Sequence, residues 1–306
     1  MVTIHMPSTA KVSPARTAQR CVACDGALEV SPAVRIDSFQ LFLCRSCRTW
    51  NLVPRPEEAI QCAFHDSESY YEHPYLEHRR ANLTAVDRRC ASLFRRIGQF
   101  TDLAALRGNR VLDVGCDTGQ FISSAARQFG ILPVGVDVAG LAIRGARSAG
   151  VDAYHCTLEQ APAHLRDFPV ITAIDVIEHV SSPRSFFQAL FERLRPGGVA
   201  YVETPNVDSY VYRLGRLLCG LTGGRPEATL RRLFPQEHIQ YYSAGGLARV
   251  TQSCGLRVLT QESRLLPPSE IAVGRVTRLV LGALQSADYL SGEKILRWAV
   301  LQRSAV

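Results

Sequence analysis

The sequence predicts an α/β protein: a doubly wound, mostly parallel sheet with a small N-terminal zinc-binding unit. Three observations predict it. From residue 110 onward, apolar runs that suit strands covered on both faces alternate with segments of helical spacing. The first such run, Val111, Leu112 and Val114, breaks into the glycine-bearing turn Gly115-Cys-Asp-Thr-Gly119 and then into helical spacing. Ahead of these, two CxxC pairs stand before residue 50.

Residues 1–20 hold Lys11, Arg16 and Arg20 among Ser, Thr, Pro and Ala with no apolar core, which reads as a disordered tail and not a secretion signal. A cytoplasmic address follows. Residues 21–54 then read as a zinc ribbon. Cys21-Val-Ala-Cys24 and Cys44-Arg-Ser-Cys47 each place two thiolates on one tight knuckle, and alternating Val34, Ile36, Phe39, Leu41 and Leu43 between them suggest a short hairpin. A unit of this size does not fold on core burial alone, so a metal is expected to complete it. Disulfides or bystander thiols are the competing readings, and the missing secretion signal disfavours the first. Cys62, Cys90, Cys116, Cys156, Cys219 and Cys254 are scattered singly and read as small buried hydrophobes.

Pro54 and Pro56 open a linker and helical lead-in over residues 55–107, in which Leu83, Val86, Cys90, Leu93, Phe94 and Ile97 repeat at helical spacing. The domain from 108 to 306 follows. Strands are expected near 110–114, 132–137, 151–155, 170–175 and 199–204, helices near 119–129, 139–149 and 183–194, an insertion over 206–237, a helix from Ser243, and closing strands near 256–260 and 295–301. Repeats and low-complexity segments are lacking.

Charge decides which nucleotide the glycine turn suits. A dinucleotide fingerprint would set a pyrophosphate against the helix N-terminus, but Asp113 and Asp117 flank the turn here and would repel it. They suit a ligand with a positive end, such as S-adenosylmethionine with its ammonium and sulfonium. Asp137, followed by Val138, ends the second strand where an acid accepts both ribose hydroxyls.

From about Tyr70 to its end the chain resembles the class I S-adenosylmethionine-dependent methyltransferases, in the branch with Glu-His after the fourth strand. Six segments carry the resemblance in that branch's order: VLDVGCDTGQF (111–121), VGVD (134–137), IDVIEHV (174–180), LRPGG (194–198), ETPN (203–206) and EHIQYYS (237–243). The resemblance implies a Rossmann-like sheet of seven strands with the final one antiparallel. It implies cofactor contacts from Asp113, Gly115, Cys116, Asp117, Gly119, Asp137 and Val138, with Thr157 and Leu158 over the adenine and Asp175 orienting the methionine end. Tyr70 and Tyr71 are candidates to border the sulfonium, beside a plain core or lid role. Two departures stand out: Asp117, where the branch commonly has Gly, is expected to take a left-handed backbone angle, and Pro169 replaces its usual Asp.

At 306 residues, 46% hydrophobic and 21% charged, the chain has the composition of an ordinary globular protein, and no run approaches the roughly 18 apolar residues of a membrane span. The net charge of +7 makes nucleic acid worth weighing, yet Arg35, Arg45 and Arg48 of the ribbon are balanced by Asp25, Glu29 and Asp37. The pairs Arg79-Arg80, Arg88-Arg89, Arg95-Arg96 and Arg231-Arg232 fall on helical segments and read as solvated faces, or as a surface for a phosphate-bearing substrate. Nucleotide sugars and lipid-linked glycans are of that kind, and zinc-ribbon members of the resembled group act on sugars. Residues 276–290 and Val211 to Leu221 mix leucine with arginine; helices packed on the domain are the first reading and peripheral membrane contact the second, with the latter segment also a candidate wall of the acceptor pocket.

Methyl transfer to a hydroxyl needs a base near the strand C-terminal ends. Asp175, Glu178, His179, Glu203, Thr204, Asn206 and His238 are the candidates. Histidine titrates nearest neutrality, so His238, delivered by the insertion, comes first and His179 second, although His179 also reads as a structural member of the Glu-His turn. The expected function is O-methylation of a sugar or glycan-linked intermediate. An RNA methyltransferase that grips with its ribbon and a non-catalytic cofactor-binding relative remain as alternatives.

Overall fold

The structure, a computed structural model, describes residues 20–71, 80–267, 282, 285, 286, 288, 289 and 292–304. Most of the tail and most of 276–290 lie outside the described residues. The ribbon forms β1 (Val34–Ile36), β2 (Phe39–Leu43) and β3 (Trp50–Leu52), antiparallel in order. Alternate residues turn inward as the pattern demands: Val34, Ile36, Phe39, Leu41 and Leu43 are all buried. Helices α1 (Glu58–His65), α2 (Glu68–Tyr71) and α3 (Leu83–Ile97) make the lead-in, α3 starting at Asn82, whose side chain accepts from the Ala85 N–H.

The larger domain alternates as the sequence predicts: β4 (Arg110–Val114), α4 (Gln120–Phe129), β5 (Leu132–Asp137), α5 (Gly140–Ser148), β6 (Asp152–His155), β7 (Phe168–Ile174), α6 (Pro183–Arg193) and β8 (Leu194–Pro205). The insertion supplies α7 (Tyr210–Thr222) and α8 (Glu227–Leu233), followed by the short β9 (Gln240–Tyr241), α9 (Ala244–Ser253), β10 (Leu256–Arg264) and β11 (Leu296–Arg303). The main sheet has seven strands in the order β10-β11-β8-β7-β4-β5-β6, in which β11 alone runs opposite to the other six. The bounds of three strands differ from expectation. Strand β8 begins at Leu194 because Pro196 cannot continue a helix, and both closing strands run longer because β10 and β11 pair over their full length.

Val211 to Leu221, a candidate wall of the acceptor pocket, lies in α7, whose inner face turns toward the ribbon. Its inner face, Val211, Tyr212, Gly215 and Cys219, packs on the ribbon with Leu230, Phe234 and Trp50 to make a core of its own. Gly215 gives room for this packing, since a Cβ on it would lie 2.3 Å from the end of the Leu233 side chain and 3.1 Å from Phe234, which would have to shift. Leu217, Leu218 and Leu221 face outward.

Moreover, β9 joins the ribbon and not the main sheet, giving a four-stranded sheet in the order β1-β2-β3-β9. Trp50 faces Tyr241 and Asn51 faces Gln240. The ribbon therefore shares a sheet with the segment that carries His238.

Candidate functional site

The four ribbon cysteines form one cluster, their Sγ atoms all within 4.8 Å of one another. Cys21 and Cys47 are 3.5 Å apart, as are Cys24 and Cys44. Four sulfurs about 2.3 Å from a zinc ion would be about 3.8 Å apart, so the cluster needs only a slight expansion to fit one. The N–H groups of Ser46 and Cys47 point at the Cys44 sulfur from 3.4 and 3.5 Å, and a hydrogen bond from the Cys21 thiol holds Cys47 down to about 4 despite burial. A zinc ion bound here would tie the two knuckles together.

At the C-terminal ends of β4 and β5 the chain builds a cradle of backbone N–H groups and carboxylates. The N–H groups of Gly115 and Cys116 donate to the Val136 carbonyl at 2.8 and 3.2 Å, which fixes the turn against β5. Gly115 has φ 71°, and a Cβ on it would lie 2.5 Å from Val176; Gly119, at φ 75°, opens α4. Asp117 takes φ 48°, the left-handed angle expected of it. Asp137 accepts from the N–H groups of Asp117 at 2.9 Å and Ala139 at 2.8 Å, and burial raises it to about 6 against those bonds. Asp113 is buried beneath the turn, takes a 2.6 Å hydrogen bond from Thr172, and is raised by burial to about 7.

Several candidate contacts sit differently from one another. Cys116 is buried, and its sulfur lies 2.5 Å from where a Cβ on Gly135 would stand, so burial raises its thiol and it packs. The Val138 carbonyl engages His155 Nε2 at 2.8 Å. Thr157 accepts from the Gln160 N–H at 3.3 Å, while the Leu158 side chain is in the core and its carbonyl accepts from Arg193. Tyr71 reaches the turn through Arg80, whose guanidinium lies 3.8 Å above its ring and donates to both oxygens of Asp117, the shortest contact at 2.7 Å. The Arg80 pairing was not visible in the sequence, where its pair read as a solvated face.

The same correction holds for Arg89. It spans from α3 to Asp175 at 3.1 Å and to Glu203 at 2.7 Å, and Arg264 grips Glu203 from the other side at 2.7 and 2.9 Å. Burial would raise Glu203, but the two guanidiniums hold it below the usual carboxylate range. Glu203 is thus a structural anion and a poor base. Thr204 donates to Glu178 at 2.9 Å, and Asn206 joins Glu293, Lys294 and Arg297, so these two candidates also serve the scaffold. Glu178 is buried and raised by desolvation, with Asp175 adding to the shift.

His179 and His238 do come together, their ring centres 4.8 Å apart, and His65, which the sequence gave no reason to single out, stands 4.7 Å beyond His179. His179 Nδ1 engages the Glu237 carbonyl at 3.0 Å, whereas His238 Nδ1 and His65 Nε2 are buried with no hydrogen-bond partner among the described residues. Burial lowers all three, His238 to about 4, so the near-neutral titration expected of the residue type does not hold here. Each ring is thus held neutral at pH 7 and is a weaker base than a free imidazole. Ligand atoms of Glu178, His179 and His238 also lie within 4.8 Å of one another.

Residues 75–261 match the model of a family described as a methyltransferase domain. Ubiquinone biosynthesis O-methyltransferases are among the similar proteins: that of Aromatoleum aromaticum is 29% identical over 160 residues, covering 50% of this chain and 66% of its own length. That of Hahella chejuensis is 36% identical over 118 residues, covering 36% of this chain and 49% of its own. The match thus spans from 49% to 66% of these two relatives' length. Phosphoethanolamine N-methyltransferase 2 of Haemonchus contortus, solved with S-adenosyl-L-methionine, superposes with a TM-score of 0.53 at 15% identity over 80% of this chain and 60% of that one, a likeness of fold.

Proposed function

The chain belongs to the methyltransferase domain family, and from that premise we propose that it transfers the methyl group of S-adenosylmethionine to a hydroxyl of a small molecule. The observation that carries this reading is the cradle at the ends of β4 and β5, where Asp113, Asp117 and Asp137 gather around a glycine turn. With Asp117 paired to Arg80, the remaining negative charge of Asp113 and Asp137 suits a cation and opposes a pyrophosphate. The bound cofactor would supply an electrophilic methyl group. Asp137 holds the ribose, Asp175 orients the methionine end, and Tyr71 with Arg80 closes the lead-in over the turn.

On the acceptor side His238 takes the hydroxyl proton or orients the hydroxyl, with His179 behind it. Its buried Nδ1, without a partner among the described residues, supports this role, because a buried polar atom without a partner costs about 1 to 3 kcal/mol and an arriving hydroxyl would remove that cost. An oxygen acceptor is also in keeping with the O-methyltransferases among the relatives. The finer reading, a sugar or glycan-linked hydroxyl, separates from an aromatic hydroxyl by experiment. The RNA reading is weakened by where the ribbon sits: β3 is paired to β9, and α7 and α8 cover the apolar face.

The test combines calorimetry with S-adenosylhomocysteine and a labelled-methyl screen over sugar, nucleotide-sugar and catechol acceptors. Binding of the cofactor product with transfer to one small-molecule class supports the reading. Transfer to RNA alone, or no binding of S-adenosylhomocysteine, overturns it.

A further inference from the structure

Helix α3 carries Arg88, Arg89, Ser92 and Arg96 along one wall of a cavity of about 280 Å³, with Arg264, Leu265 and Pro267 opposite and Tyr201 and Glu203 lining it as well. Its acid is already spoken for: Glu203 receives both Arg89 and Arg264 and the Tyr201 hydroxyl proton at 2.7 Å. Arg96 makes no ion pair with a carboxylate among the described residues. Its guanidinium donates to the Tyr201 oxygen at 3.1 Å and rests 4.8 Å from the centre of the Trp298 ring, which fixes it in place. Arg88 donates to the Thr84 carbonyl at 3.3 Å and likewise makes no ion pair with the described residues. Two cations therefore border a cavity whose internal carboxylate is saturated.

We propose that this cavity receives an oxyanion of the acceptor, a phosphate or carboxylate group, held by Arg88 and Arg96. The chemistry fits in three respects. Guanidinium forks match the paired oxygens of phosphates and carboxylates, and Arg96 is held in place by its ring contact. The volume is at the lower edge of the about 300 to 1,000 Å³ of small-molecule sites, which suits a head group more than a whole substrate. Position completes the argument: Arg89 lines this wall and also bonds Asp175, so the cavity adjoins the side of the cradle assigned to the methionine end. An acceptor anchored here by its anion would present a neighbouring hydroxyl toward the methyl group. The proposal rests on the methyltransferase reading for what the anion belongs to.

The experiment titrates the full-length protein with pyrophosphate, inorganic phosphate and benzoate at low salt by calorimetry, with S-adenosylhomocysteine titrated in parallel. Arg88→Glu and Arg96→Ala are each expected to weaken oxyanion binding by roughly 10- to 100-fold, the loss of a charge-assisted hydrogen-bonding group, with S-adenosylhomocysteine affinity unchanged. Arg88 is exposed, so its variant keeps the fold if Arg96→Ala does not. Tighter binding of the phosphates assigns a phosphorylated acceptor, and tighter binding of benzoate a carboxylated one. Absence of saturable oxyanion binding, or wild-type affinity in Arg88→Glu, overturns the site. If S-adenosylhomocysteine itself fails to bind the wild type, the methyltransferase reading falls while the oxyanion titrations still decide the cavity.

Discussion

Trp50 of the ribbon stands opposite Tyr241 of the larger domain in an antiparallel pair, their ring centres 6.3 Å apart. The Leu52 N–H continues the ladder to the Ile239 carbonyl at 2.9 Å, and Ser243 donates to the Cys47 carbonyl. Arg55 donates to the carbonyls of Val180 and Ser181 at 3.3 and 2.9 Å and to Gln240 at 2.7 Å. One network thus spans the cysteine knuckles, the Glu-His turn and the strand after His238.

Zinc should therefore matter for turnover. One ion per chain is expected, held by Cys21, Cys24, Cys44 and Cys47, and worth on the order of 10 kcal/mol to the folding of the ribbon. Cys24→Ser should lose the metal, lower the melting temperature, and cut turnover at least roughly tenfold by loosening the His238 segment. Affinity for S-adenosylhomocysteine should change little, since the cradle lies on other strands. Metal analysis, thermal melts and calorimetry check the three parts, and a zinc-free wild type would remove the assignment.

The cradle should report its charge through pH. In the proposed placement it is ionised Asp137 that accepts ribose hydroxyls, and burial raises it to about 6, with Asp113 raised to about 7. Below those values the acids carry protons and the cation loses its partners, so affinity for S-adenosylmethionine should climb from pH 5 to about 7.5 and then level. Asp137→Ala should weaken binding by about 2 kcal/mol. Calorimetry across pH decides, and a flat profile with unaltered affinity would move the ribose elsewhere.

The sequence made the main sheet legible because strand and helix periods alternate cleanly and because Gly115, Gly119 and Asp137 each mark a position that backbone geometry or charge dictates. It concealed what depends on partners distant in the chain. A two-residue strand such as Gln240–Tyr241 has no period to detect, so its union with the ribbon could not be read. Arg80, Arg89 and Arg96 share helical segments with solvated arginines, and only the positions of Asp117, Glu203 and Tyr201 turn them inward. His65 is likewise invisible until α1 sets it beside His179.

Arg80 offers a direct check on the lead-in. It neutralises Asp117, stacks on Tyr71 and donates to the Tyr71 carbonyl at 2.7 Å. Arg80→Ala should release Tyr71 from the turn and weaken cofactor binding by roughly tenfold, with a modest drop in melting temperature because the pair is only partly exposed, Asp117 at 42% and Arg80 at 15%. Quenching of tyrosine fluorescence by the bound cofactor should fall in parallel. Retention of both signals would leave the lead-in a passive cover.

His238 provides the last test. It stands beside His179 with Nδ1 buried and without a described partner, and if it meets the acceptor hydroxyl as proposed, His238→Ala should lose about 10² to 10⁴ in turnover while cofactor affinity holds. Burial lowers the ring to about 4, so at saturating cofactor the acid limb of kcat should fall near pH 4 and not near 6.5. The sign follows from the neutral ring being the active form: protonation below its pKa removes the acceptor for the hydroxyl proton. A limb that persists unchanged in His238→Ala, or full turnover of that variant on the true acceptor, would take His238 out of the mechanism and leave His179 as the base to examine.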